Sequence, residues 1–185
     1  MNLLLINDEI TLRELYEKDA ESLFQLTDAN RNYLRAWLPW LDQNTKLENT
    51  RWFIQNTSEQ AQKNDAPTFG IWLRGELVGI IGYHFMDKTN RSTSIGYWLA
   101  EKFQGHGIMT KACAKLVDDA LVTRKLNRVE IHCAVENKKS RAIPERLGFT
   151  MEGVLRQKEF VYDHHNDLAV YGLLSTDIDK NLNEL

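Results

Sequence analysis

Gly105 and Gly107 stand one residue apart in Gln104-Gly105-His106-Gly107-Ile108-Met109-Thr110, between a strand-like run and a helix-like run. Tyr97, Trp98 and Leu99, upstream, are strand-forming residues. Downstream, Met109, Ala112, Cys113, Leu116, Val117, Ala120 and Leu121 recur at helical spacing. Glycines let a backbone turn sharply or approach something closely. A loop of free N–H groups opening a helix attracts anions, because its unsatisfied donors and the helix dipole both favour negative charge. The spacing therefore admits a phosphate or pyrophosphate cradle, and equally an ordinary turn. Two familiar cradles are excluded. A P-loop needs Lys-Ser/Thr after its second glycine, where Ile108-Met109 stands. A dinucleotide fingerprint needs a third glycine, where Thr110 stands.

Other residues could do chemistry. In strand alternation Glu159 shares a face with Leu155, Gln157 and Val161, and spacing alone makes it an ordinary strand glutamate. Ser140 reads as a first-turn helix serine, and Asn137 as the N-cap of that helix. Cys133 points with Val129 and Ile131, which reads as a buried structural thiol. His164 and His165 are adjacent, so their side chains diverge, and no third ligand has metal-site spacing. No metal centre is expected. His165 could still border an acceptor mouth. Trp37 and Trp40 flank Pro39 in an irregular segment, which suits either core packing or the wall of a pocket.

The elements that must position these residues follow from the rest of the chain. A length of 185 residues makes residues 1–185 one domain with room for a sizeable core. The formal net charge of −3, without a basic arm, argues against nucleic acid as a partner. Two cysteines in apolar runs do not make a disulfide framework. The short apolar start does not resemble a signal peptide, and no stretch suits a membrane span, so a cytoplasmic protein is expected.

Strands are expected at residues 3–6, 10–12, 69–73, 77–86, 92–99, 128–135, 153–162 and 168–174. Helices are expected at 18–27, 49–63, from 109 to about 124, and at 138–147, where Pro144 implies distortion. Arg74-Gly75-Glu76 signals a hairpin, and residues 163–167 would turn the last one. The order predicts an α/β fold: a mixed, mostly antiparallel sheet flanked by helices. Only the helical crossover after Leu99 favours a parallel neighbour.

The loop Gln104–Thr110 resembles the acyl-CoA pyrophosphate loop of the GNAT superfamily of N-acetyltransferases, whose pattern is Arg/Gln-x-x-Gly-x-Gly/Ala. Asn137, Ser140, Ala142 and Leu147-Gly148-Phe149 resemble a second block of that superfamily. Trp37-Leu38-Pro39-Trp40, Glu159 and His165-Asn166-Asp167 resemble its RimJ/RimL-like branch, which acetylates N-termini of ribosomal proteins. The match covers nearly the whole chain, in order. It departs twice: Met109 ends the loop, and Pro144 stands where many members place a tyrosine general acid.

The resemblance implies a GNAT fold that holds acetyl-CoA between two splayed strands, without a metal. Tyr97, Trp98 and Leu99 would meet the pantetheine arm with their backbone groups. The N–H groups from Gln104 through Gly105, His106, Gly107, Ile108 and Met109 to Thr110 would hold the pyrophosphate. Asn137 would face the thiol end, and Arg141 would lie near the nucleotide. Glu159 would take the amine's proton, Ser140 would serve the leaving thiolate, and Trp37 and Trp40 would contact the acceptor. That acceptor would be a protein N-terminus or a small amine such as a polyamine or aminoglycoside. A non-catalytic CoA-binding module is the rival class. A homodimer would be in keeping with the branch.

The chemistry narrows the mechanism. At pH ~7.4 an α-amine of pKa ~7.7–8.0 is already about a quarter neutral, whereas a lysine is only ~0.1% neutral. One carboxylate, acting directly or through water, would suffice for an α-amine. Backbone N–H groups near Trp98 and Leu99 would polarise the carbonyl. Direct attack without an acyl-enzyme is expected.

Overall fold

The computed structural model describes residues 3–182. The elements run β1 (Leu3–Leu5), β2 (Ile10–Glu14), α1 (Ala20–Ala29), α2 (Arg31–Arg35), α3 (Leu47–Asn64), β3 (Thr68–Leu73), β4 (Glu76–Asp87) and β5 (Ser92–Leu99). They continue α4 (Ile108–Asp118), β6 (Arg128–Ala134), α5 (Lys138–Arg146), β7 (Thr150–Val161), β8 (His164–Leu174) and α6 (Ser175–Leu182). The strands form one sheet in the order β1-β2-β3-β4-β5-β6-β8-β7. Every pairing is antiparallel except β5 with β6, the two strands joined through α4. This is the expected α/β architecture.

Helices pack on both faces. β4 sends Val78, Ile81 and Tyr83 to a cluster shared with Ala112, Cys113 and Leu116 of α4. Leu77 and Ile80 go to a second cluster with Leu23 of α1 and Ile54 of α3. Burial of these side chains supplies most of the driving force, at ~1.5–3 kcal/mol for each large one. Past α4 the chain continues as a π-helical turn, Asp119–Thr123. Buried Asp119 fixes it by accepting from Tyr83 Oη at 2.9 Å and Arg124 Nε at 2.6 Å.

The feature that positions the site is a gap. β5 pairs with β6 only from Ser92 to Ser94, opposite Arg128 to Glu130. Beyond that, β5 stays with β4 and β6 stays with β8, so the two strands part.

The structure corrects two expectations. The last hairpin turns at Tyr162 and Asp163, and β8 already begins at His164. Tyr162 adopts a left-handed φ of 56°, which makes so short a turn possible. The common face of Leu155, Gln157, Glu159 and Val161 also loses Gln157, which stands in a bulge, while Leu155, Glu159 and Val161 stay on one face opposite Leu168, Asn166 and His164. Leu155 lies opposite Leu168 and Glu159 opposite Asn166, so β7 carries two extra residues there. Gln157 takes φ 50° and gives its N–H to Asp167 Oδ1 at 2.7 Å. The bulge leaves Leu155 and Gln157 exposed and Glu159 half-buried.

Candidate active site

The gap between β5 and β6 opens into a large cleft. Tyr97, Trp98, Leu99, Gln104, Gly105, Gly107, Ile108, Met109, Thr110, Asn137, Ser140, Glu159, Trp37 and Trp40 all line it. Residues expected from distant parts of the chain therefore converge on one cavity.

One end suits an anion. Gly105 and Gly107 adopt φ 80° and 72°, in the left-handed region that favours glycine. Gly107 is the N-cap of α4, an 11-residue helix, so the dipole and the free N–H groups face the loop. A Cβ on either glycine would meet nothing within 4 Å, so the loop surface is open. Cations stand around it. Lys139 Nζ donates to Gln104 Oε1 at 3.0 Å, and Arg146 Nη1 donates to Thr110 Oγ1 at 3.2 Å. Lys111 also lines the cleft. Neither Lys139 nor Arg146 was singled out in the sequence.

The middle is the strand edge. From Ile95 to Leu99, β5 has no partner on the β6 side, which leaves backbone donors and acceptors for an extended chain. Asn137 caps α5 by accepting from the Ser140 N–H at 3.1 Å, and its amide borders the cleft at the same time. Pro144 sits inside α5 and supplies no N–H to the Ser140 carbonyl one turn earlier. The Tyr97 hydroxyl fills that vacancy at 3.1 Å and accepts from Ser140 Oγ at 3.3 Å. Burial holds the Tyr97 pKa well above its ordinary value, so it acts as a neutral hydrogen-bond partner. This side-chain role was not legible in the sequence, where only the backbone of Tyr97 stood out.

The other end suits an amine. Burial raises the Glu159 pKa, against the opposing pull of the Asn166 amide. The Asn166 Nδ2 is itself buried and completes no hydrogen bond of good geometry. Tyr162 Oη donates to the Leu38 carbonyl at 2.8 Å, and the Arg35 guanidinium stacks over the Tyr162 ring at 3.9 Å. These contacts pin Trp37-Leu38-Pro39-Trp40 against the β7–β8 turn, so both tryptophans become a wall of the cleft that Glu159 enters. Neither tryptophan is fully buried, which favours the pocket reading over core packing.

Three candidates lie elsewhere. Arg141 does not line the cleft. Its guanidinium is taken up by Tyr171 Oη at 2.9 Å, the Val135 carbonyl at 3.1 Å and Glu145 at 3.6 Å. That side of α5 faces β8, and spacing within a short helix does not reveal which side does so. The His106 side chain is exposed and outside the cleft lining. His165 packs on the Phe160 ring at 4.9 Å. Cys133 borders the cleft, but burial pushes its thiol up to about 11, so little thiolate is present at neutral pH.

The residues present fit acetyl-CoA: an anion site at a helix start, an unpaired strand edge, and a hydroxyl, Ser140, and a half-buried carboxylate, Glu159, lining the same cleft. Comparison with known proteins agrees. The family model described as Acetyltransferase (GNAT) domain matches residues 9–150. YdaF of Bacillus subtilis (strain 168), provisionally named a ribosomal N-acetyltransferase, is 41% identical over 170 residues, 91% of this chain and 93% of that protein. The ribosomal-protein-serine acetyltransferase of Escherichia coli (strain K12) is 32% identical over 166 residues, 90% of this chain and 93% of that one. Among solved structures, RimL, the ribosomal L7/L12 α-N-protein acetyltransferase in complex with coenzyme A, matches with a TM-score of 0.90 at 29% identity. That match covers 94% of this chain and 98% of the other.

Proposed function

Because this chain belongs to the acetyltransferase (GNAT) family, it is an acetyl-CoA-dependent N-acetyltransferase, and we propose that its acceptor is the N-terminal α-amine of a ribosomal protein. The observation that carries this reading is the pairing of one half-buried carboxylate, Glu159, with an aromatic wall on the acceptor side of the cleft. A carboxylate with a raised pKa is matched to an amine that is already partly neutral, and poorly matched to a lysine. The names of the two relatives and of the solved structure support a ribosomal substrate.

Acetyl-CoA supplies an acetyl thioester, whose carbonyl carbon is the electrophile and whose sulfur leaves. The N–H groups of residues 104–110, with Lys139 and Arg146, would hold its pyrophosphate. The free edge of β5 at Tyr97, Trp98 and Leu99 would hold the pantetheine arm, with a backbone N–H there polarising the carbonyl. Glu159 would take a proton from the incoming ammonium. Ser140, oriented by Tyr97, would hydrogen-bond the departing sulfur or hold the water that protonates it. Trp37 and Trp40 would position the N-terminal residue.

Two measurements test this reading. Acetyl-CoA at about 100 times Kd should stabilise the fold by ~2.7 kcal/mol, a rise of roughly 5–11 °C in midpoint for a chain of this size, and ATP should give little. Thiol release over an amine panel should then favour N-terminal peptides over spermidine and aminoglycosides. Preference for a small amine would move the acceptor class without moving the cofactor.

A further inference from the structure

One cleft residue has no part in the mechanism above. β4 carries one residue more than β5 where Tyr83 lies opposite Ile95 and Phe85 opposite Ser94, and the extra residue is His84. The bulge aims its imidazole across the neighbouring strand. A methyl group on Gly96 would fall 2.1 Å from His84 Nε2 and 2.5 Å from Cε1. The ring therefore lies directly over the Gly96 backbone. A glycine inside a strand weakens it, and here it marks the place where a side chain from the next strand must come close.

That place is where the strands part. Gly96 is two residues past Ser94, which is paired with Glu130 in the last β5–β6 pair. Across the gap His132 of β6 also lines the cleft, bonded to Glu130 at 2.8 Å, which in turn is held by Arg128 Nε at 2.8 Å. His132 is thus committed, whereas nothing in the protein hydrogen-bonds the His84 ring among the described residues. Protein packed on its strand side lowers the His84 pKa, and the neighbouring His132 lowers it further. The ring is neutral at neutral pH, so one of its nitrogens carries a lone pair, and the residue lines the cleft.

An α-ammonium must lose two protons to become an amide. Glu159 accounts for the first, before attack. The second leaves nitrogen as the new bond forms, when the Glu159 carboxylate already holds the first, and needs an acceptor of its own. We propose that His84 is that acceptor. The nitrogen lone pair forms the N–C bond, and the C–S bond breaks with its electron pair on sulfur. The remaining surplus proton passes from nitrogen to the His84 imidazole, which releases it to cleft water. The thiolate is protonated on the Ser140 side. The inference rests on the N-acetylation reading and adds a second proton acceptor to it.

The test compares His84→Ala and His84→Gln with wild type on an N-terminal peptide, with acetyl-CoA thermal shifts measured in parallel. Turnover should fall about 100-fold in both variants, because glutamine keeps a hydrogen-bonding side chain but takes no proton. The acetyl-CoA thermal shift should be retained, and added imidazole should restore part of the His84→Ala rate. A readout independent of turnover is the His84 Cε1–H resonance, assigned by its loss in His84→Gln. It should move when a peptide binds together with CoA. Variants within threefold of an active wild type overturn this inference and leave the acceptor reading standing. So do slow variants that have lost the thermal shift, or a resonance that stays still. A wild type that binds acetyl-CoA and acetylates no amine overturns both.

Discussion

The Tyr97 hydroxyl donates to the Ser140 carbonyl oxygen at 3.1 Å, a bond that exists because Pro144 leaves that carbonyl without its helical partner. A proline ring also crowds the carbonyl of the preceding turn. Tyr97→Phe should cost about 1 kcal/mol of stability and lower turnover by freeing the Ser140 hydroxyl. Pro144→Ala gives the carbonyl an internal donor. In that background the stability cost of Tyr97→Phe should shrink by about 0.5–1 kcal/mol, which a double-mutant cycle by denaturant unfolding would measure. Additive changes would show that the three groups are independent.

Glu159→Gln should lower turnover with an α-amine acceptor about 100-fold near pH ~7. The deficit should narrow above pH ~8, where the amine deprotonates without help. Stability moves the other way. Because burial raises the Glu159 pKa, the folded state holds this proton more tightly than the unfolded state does. The favourable contribution is complete below the ordinary glutamate pKa and is lost as pH rises through the folded value. Glu159→Gln should therefore unfold at a higher temperature than wild type at pH ~7 and at the same temperature near pH ~3. Melting curves at the two pH values read this out.

Much of this site was legible because its signals are local. A glycine pair at a helix start, an asparagine before a helix and a proline within one act through nearest neighbours, and Gly107, Asn137 and Pro144 all appear in those roles. The two bulges were not legible. Whether β4 gains a residue at His84, or β7 gains two before Glu159, depends on partner strands far away in sequence. Alternation carried across the β7 bulge consequently named Leu155 and Val161 correctly as face-mates of Glu159 and misplaced Gln157 alone. The fate of Arg141 likewise depended on Tyr171, 30 positions away. Gly96 held the one clue to His84: a glycine within an otherwise strand-forming run.

Gly107→Ala should separate strain from binding. A left-handed φ of 72° costs a residue with a Cβ roughly 1–2 kcal/mol, and no atom lies near enough to clash. Gly75→Ala is the control, since Gly75 has φ 84° and equally open surroundings in the β3–β4 turn outside the cleft. Both variants should lose similar stability. Only Gly107→Ala should weaken acetyl-CoA, by about tenfold or more, in isothermal titration.

Cys133→Ser should keep at least a third of wild-type turnover, in the order of magnitude expected for a residue outside proton transfer. A thiol held up to about 11 by burial is a poor nucleophile at neutral pH. Intact-mass analysis after mixing enzyme with acetyl-CoA alone should find no acetylated Cys133. An acetylated thiol that then transfers to amine would replace direct attack with a two-step route.

Where the acetyl group goes decides whether the acceptor is a protein N-terminus. A peptide with the N-terminal sequence of a ribosomal protein, a free α-amine and an internal lysine would be incubated with enzyme and acetyl-CoA, with spermidine present as competitor. Tandem mass spectrometry would then map the product. The expected product carries acetyl on the α-amine, with the lysine and spermidine unmodified while peptide remains. Acetyl on the lysine, or on spermidine ahead of the peptide, would contradict it.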